Sequence, residues 1–241
     1  MEKFAKAREL FRDIVDLKNY VPLSTSEKTK QDLLNAINQK EKIVLLTGEA
    51  GSGKSLLLRS VYDELKGKKV FFVSNPYLEI DSILELLKNL DINDHHILLL
   101  DEAQLLESKT WENLRIYADR GNVTIVFATH DTDIKKLLEK KHFSTRINYI
   151  IKVKPVSFEE MKNFIITKLL KNDLHEIVDM LDNKNFKKIY SFTKGSLRAT
   201  NQLMYKLFDV VDFFYKKNPK KFEKKIDNKY IEIAIMDLRA K

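Results

Sequence analysis

Residues Gly48 to Ser55 read Gly-Glu-Ala-Gly-Ser-Gly-Lys-Ser, directly after the apolar run Ile43-Val44-Leu45-Leu46. The stretch fulfils the pattern G-x-x-x-x-G-K-[ST] in the setting its chemistry requires, a strand feeding a glycine-rich turn that opens a helix. Glycines let the backbone curl so that successive N–H groups point at one phosphate with no Cβ in the way. Lys54 can then reach the outer phosphates and the Ser55 hydroxyl can ligate Mg²⁺. The helix from Ser55 to about Lys66 adds its positive N-terminal end to the same place. Gly48, Glu49, Ala50, Gly51, Ser52, Gly53, Lys54, Ser55 and Leu56 are therefore the predicted cradle of a nucleoside triphosphate, with ATP and Mg²⁺ the expected ligands.

Further along the chain, Ile97-Leu98-Leu99-Leu100 runs into Asp101-Glu102-Ala103-Gln104. An aspartate at the carboxyl end of a buried strand, beside the glycine-rich loop, can hold Mg²⁺. Glu102, next to it, is placed to orient or deprotonate the water that attacks a terminal phosphate. A third apolar run, ending at Ala128, is followed by Thr129 and His130. A polar residue there can hydrogen-bond the attacking water or the phosphate; Thr129 is the first choice and His130 the alternate. Arg146 precedes a further apolar run, from where its guanidinium can project to a neighbouring subunit's phosphate and stabilise transition-state charge. Arg198, in Gly195-Ser196-Leu197-Arg198, opens a long helix and can swing onto bound phosphates. His95 and His96 lack metal-ligand spacing and are expected to be loop residues.

Five short apolar runs alternate with helical patterns: Lys42–Thr47, Lys69–Ser74, His96–Leu100, Asn122–Ala128 and Ile147–Val153. Continuous apolar strands separated by helices predict an α/β fold with a five-stranded parallel sheet covered on both faces. Past Pro155 helices dominate, beginning with a Ser157-to-Glu160 capping pattern. The expected organisation is two N-terminal helices over 1–40, a nucleotide-binding α/β domain over 41–155 and a small all-helical lid over 156–241.

With 44% hydrophobic and 32% charged residues, the 241-residue chain has the balance of a water-soluble protein. It has no cysteine, which excludes disulfide and thiolate chemistry. Its longest apolar runs, of about four residues, are far short of a membrane span. A cytoplasmic protein is expected, held at a membrane only through a partner. The net charge of +8 invites an anionic partner such as nucleic acid or lipid headgroups. The densest basic stretch, Lys216 to Lys225, reads as a solvated inter-helix loop or, more sharply, as a phosphate-contacting patch.

Taken together, the glycine-rich loop, the Asp-Glu strand end, the polar strand end, Arg146 and the Gly-x-x-Arg helix resemble an AAA+ ATPase. In that family they match Walker A, Walker B, sensor 1, arginine finger and sensor 2. Within it the sequence is similar to the GspA/ExeA-like (MshM-like) ATPases of type II secretion, type IV pilus and DNA-uptake (transformation) systems. The stretches Leu45–Lys54, Val73-Ser74-Asn75-Pro76-Tyr77-Leu78, Asp101–Leu106, Gly195–Asn201 and Ala234–Asp237 carry this likeness, which extends over about residues 24–240. Leu197 departs from the usual proline, Thr129 from the usual glutamine, and the aromatic-Pro-Phe opening is missing. Longer members continue into a membrane segment and a periplasmic domain, whereas this chain ends at Lys241, as a short cytoplasmic member or the ATPase portion alone.

The resemblance implies a homo-oligomer, a ring or dimer with shared sites, that hydrolyses ATP to assemble or power an apparatus at the inner membrane. Two other readings stand beside it. One is a DNA-associated ATPase of the transposition-target or replication-loading type, with DNA a direct ligand. The other is a nucleotide-gated scaffold with negligible turnover.

Overall fold

The apolar run before the glycine-rich loop forms β1 (Ile43–Gly48), buried along its whole length. The computed structural model describes residues 3–14, 20–138, 147, 149–219 and 225–240. Around β1 lie β2 (Val70–Val73), β3 (His96–Leu100), β4 (Val123–His130) and β5 (Tyr149–Lys152). All pairings are parallel, in the order β2-β3-β4-β1-β5. Parallel neighbours force each connection to cross over through a helix: α3 (Lys54–Glu64), α4 (Pro76–Lys88), α5 (Ser108–Asp119) and α6 (Asp131–Leu138).

Side-chain alternation along the strands divides the core. Val44, Leu46, Leu99, Val126 and Ala128 pack with Leu33, Ile37, Leu57 and Val61 from α2 (Ser24–Asn38) and α3. Ile43, Leu45, Leu98, Ile125 and Phe127 pack with Ile83 and Leu87 of α4 and Trp111 and Leu114 of α5. Trp111 stacks on Phe127 with ring centroids 4.0 Å apart.

The chain forms two units, one of residues 24–154 and one joining 1–23 to 155–241. Among the described residues the second is all-helical: α1 (Lys3–Leu10), α7 (Phe158–Leu170), α8 (His175–Asp179), α9 (Asn183–Thr193), α10 (Leu197–Lys217) and α11 (Asn228–Arg239). Its first long helix starts with the expected box, in which Ser157 Oγ accepts from the Glu160 N–H while Glu160 accepts from the Ser157 N–H.

Three expectations need correction. The first helix does not sit ahead of β1 in the α/β unit. Its Phe4 and Ala7, with Phe11 just beyond, are fully buried among Phe208, Met204 and Ile165 of the helical unit, so its short apolar stripe is covered there. Strand β4 does not stop at Ala128 but continues in register with β1 through Thr47–Thr129 and Gly48–His130. His96 is not a loop residue: it begins β3, is buried, and lies stacked on Phe71.

Candidate active site

The turn after β1 shows why it is built from glycine. A Cβ on Gly48 would lie 2.7 Å from Ser52 Oγ and 2.9 Å from the Val153 carbonyl oxygen, so no side chain fits. Gly51 and Gly53 have φ of 75° and 98°, in the left-handed region that a Cβ disfavours. Gly53 is also the N-cap of α3 and has no side chain to cover the orphan N–H groups of the first turn. Those groups are therefore left to an incoming anion. Ser52 Oγ is buried with no hydrogen-bond partner among the described residues, a further polar atom facing the loop's interior.

Lys54 is buried at the first position of α3. Its ammonium donates to the carbonyl oxygens of Gly48 at 2.9 Å and Glu49 at 3.0 Å, and lies 3.3 Å from His130 Nδ1. An ammonium can only donate, so in this contact His130 Nδ1 is the acceptor. His130 Nε2 faces Glu102 Oε2 at 3.8 Å, too far for a hydrogen bond. His130 thus stands between the loop lysine and the strand-end glutamate.

Asp101 leaves β3 on the same side as Leu99, the face that packs on α3. There it meets Ser55, whose hydroxyl donates to its carboxylate. It also accepts the Glu102 N–H at 3.0 Å. Burial raises the Asp101 carboxyl above its ordinary value, and the charge of Glu102 adds to this; Ser55, the Glu102 N–H and Lys54 pull the other way without cancelling it. Glu102 itself has φ 49° and ψ 39°, a left-handed conformation unusual for a residue with a Cβ. Gln104 Nε2 donates to Glu102 Oε2, so one lone pair of the candidate base is already engaged.

A third acid, absent from the sequence reading, completes the surroundings. Asp131, first residue of α6, accepts from Thr47 Oγ1 at 2.7 Å and pairs with Lys152 Nζ at 2.8 Å. Burial opposes its charged form, but Lys152, Thr47 and Lys54 together outweigh it and hold the carboxyl below its ordinary value. Its position one residue past β4 was the available signal, obscured by ending that strand too early.

The structure brings together Lys54, Ser55, Asp101, Glu102 and His130. It does not bring Thr129 to them: Thr129 is buried and points to the opposite sheet face from His130. Arg198 opens α10 in the helical unit, where its guanidinium pairs with Asp13 at 3.3 Å. Arg146 lies outside the described residues.

A five-stranded parallel sheet with this loop and this strand end has the fold of the P-loop NTPases. Residues 4–142, more than half of the chain, match the family model described as Novel STAND NTPase 5, and the chain belongs to that family. No curated protein matches the sequence. Among solved structures, the chain is similar to the Orc1 protein of Aeropyrum pernix in complex with DNA. That likeness has a TM-score of 0.67 at 16% identity and covers 97% of this chain and 69% of the other. The RuvB Holliday junction branch migration motor of Thermotoga maritima matches with a TM-score of 0.64 at 20% identity, over 95% of this chain and 73% of that one. Cdc6p of Pyrobaculum aerophilum matches at 0.60 and 14% identity over 88% of this chain, and the chain spans 66% of its length. At these identities the likeness is one of fold.

Proposed function

We propose that the chain is a Mg²⁺-dependent ATPase that works as a switch or motor within an oligomer. The observation that carries this reading is the meeting of Lys54, Ser55, Asp101, Glu102 and His130 at the carboxyl ends of β1, β3 and β4. Among the described residues no group of three or more His, Cys, Asp or Glu side chains could hold a metal by itself. Mg²⁺ is commonly held by one or two carboxylates together with substrate phosphates and water. Ser55 and Asp101, two hard oxygen donors already sharing a hydrogen bond, fit that mode. Bound there, Mg²⁺ supplies charge neutralisation for the outer phosphates.

The chain's own residues supply the remaining chemistry. The loop N–H groups and the first turn of α3 would bind and orient the phosphates. Lys54 would exchange its two carbonyl acceptors for phosphate oxygens. Glu102 would position the attacking water and take its proton. His130 takes the place first assigned to Thr129, because it alone of the two faces Lys54. Arg146 in trans and Arg198 in cis would contact the phosphates in the assembled oligomer, and Arg198 would leave Asp13 to do so.

The motif likeness to GspA/ExeA-like ATPases supports a task in assembling or powering a secretion, pilus or DNA-uptake apparatus, from the cytoplasmic side of the inner membrane. A second reading, an ATPase that acts on nucleic acid, is favoured by the net charge of +8. It also agrees with two fold neighbours whose descriptions name DNA or a Holliday junction.

The test is ATP turnover at micromolar protein with Mg²⁺ present. Glu102→Gln should lower turnover by about 10²- to 10⁴-fold, the range of general acid–base catalysis, with ATP affinity nearly unchanged. Turnover equal in variant and parent overturns the assignment of Glu102. Tight ATP binding with no turnover in the parent overturns hydrolysis and leaves a nucleotide-gated scaffold.

A further inference from the structure

In the helical unit, α9 reads Asn-Lys-Asn-Phe-Lys-Lys-Ile-Tyr-Ser-Phe-Thr, without a single acidic residue. Its apolar side, Phe186 and Ile189 with Asn185 and Thr193, is buried. Its outer side presents Lys184, Lys187 and Ser191 to solvent, and Lys194, the C-cap, continues the row. Spacings of three and four residues keep Lys184, Lys187 and Ser191 on one face of the helix, and Lys194 lies just past its end in a left-handed conformation. None of the three lysines makes an ion pair among the described residues. Lys188, at the edge of the row, is instead neutralised by Glu232 of α11. The one nearby acid on the same segment, Asp182, is spent on the helix cap, accepting from the Asn185 N–H at 2.9 Å. Two further cations flank the row: Lys162, whose Nζ donates to Asn183 Oδ1 at 3.0 Å, and Arg239, whose guanidinium lies 5.7 Å from the Phe192 ring.

We infer that this face of α9 binds the phosphate backbone of nucleic acid. Charge complementarity with a matching repeat supports this assignment. Lys184 to Lys194 spans about 15 Å of helix, and about four phosphates of one duplex strand fall within the same axial length. A lipid surface fits less well, because interfacial helices bury an exposed apolar face and the apolar face of α9 is committed to the core. The exposed residues are cations, Asn183 and one serine, the groups that contact phosphates without reading bases. Binding should therefore be indifferent to sequence and steep in salt. This inference builds on the nucleic-acid reading above and gives it an address.

The experiment measures binding of a short labelled duplex of mixed sequence to the full chain across a salt series. It compares the parent, the triple variant Lys184→Glu/Lys187→Glu/Lys194→Glu and a control, Lys28→Glu/Lys88→Glu/Lys109→Glu, with the same change in net charge at exposed positions of the α/β unit. ATP turnover and circular dichroism, unchanged in both variants, confirm folding. The α9 variant should bind at least ~10-fold more weakly, with the log–log salt slope shallower by about 2.7, as expected for three lost phosphate contacts. The control should stay near the parent. Equal loss in both variants overturns the inference, because net charge alone then suffices. A parent that binds duplex but is unaffected by the α9 changes also overturns it, while leaving the nucleic-acid reading standing. A parent that fails to bind, or a flat salt slope, sinks both. Preferential binding to anionic phosphatidylserine vesicles over duplex overturns it in favour of a membrane.

Discussion

Asp101 shows the cost of placing a functional group where the fold would prefer none. Its carboxylate is buried, and its folded-state pKa lies above the ordinary 3.8. The folded state therefore holds the proton more tightly than the unfolded chain, and stability falls as pH rises through the window just above 3.8. Asp101→Asn removes the buried charge while keeping the shape. It should raise the melting temperature at pH 7, and the gain should shrink as pH is lowered toward 3.8. Turnover should be lost in the same variant. A melting temperature at pH 7 equal to or below the parent's would contradict the burial argument. At Glu102, Gln104→Ala frees the engaged carboxylate oxygen; if that contact restrains the base, basal turnover should increase severalfold without a change in ATP affinity. A fall in turnover would instead make Gln104 a positioning residue.

At the scale of elements, the approach to α10 depends on a close backbone contact. Gly195 has φ +82°, and a Cβ there would lie 2.3 Å from the Val156 carbonyl oxygen. The Val156 N–H in turn donates to the Gly195 carbonyl at 3.0 Å. Gly195→Ala combines left-handed strain of about 1–2 kcal/mol with a backbone clash. It should cost at least ~2 kcal/mol in chemical denaturation. A loss under about 1 kcal/mol would mean that the segment relaxes easily. The capping box at the start of α7 is a milder case: Ser157→Ala should cost about 1 kcal/mol through the orphaned N–H of Glu160.

At the scale of the whole molecule, the helical unit is closed by residues from both ends of the chain. Phe11 is fully buried with its ring centroid 5.8 Å from that of Phe208. Phe11→Ala should cost about 3–5 kcal/mol, the usual range for a core aromatic. The loss should fall on the helical unit's calorimetric transition and not on that of residues 24–154. A uniform shift of both would show that the two units unfold as one.

Much of this protein is legible in the order of its residues. The glycine-rich loop, the Asp-Glu strand end, the five strands and the helical segment after Pro155 follow from local pattern, because parallel strands buried on both faces are continuously apolar. The five strands fall within two residues of their expected ends. What local pattern could not convey was the partner of each polar group. His130 rather than Thr129 faces Lys54 because β4 runs two residues further and alternation turns successive side chains to opposite faces. Asp131 owes its place to Lys152 and Thr47, residues distant in sequence. The first helix joined the helical unit because its stripe, with Phe11, is too small to form a core by itself and packs wherever a complementary face exists. Local sequence thus determined which groups are proposed to bind a triphosphate. Tertiary packing alone decided which of them meet, since strand register and long-range contact set distances that no spacing along the chain encodes.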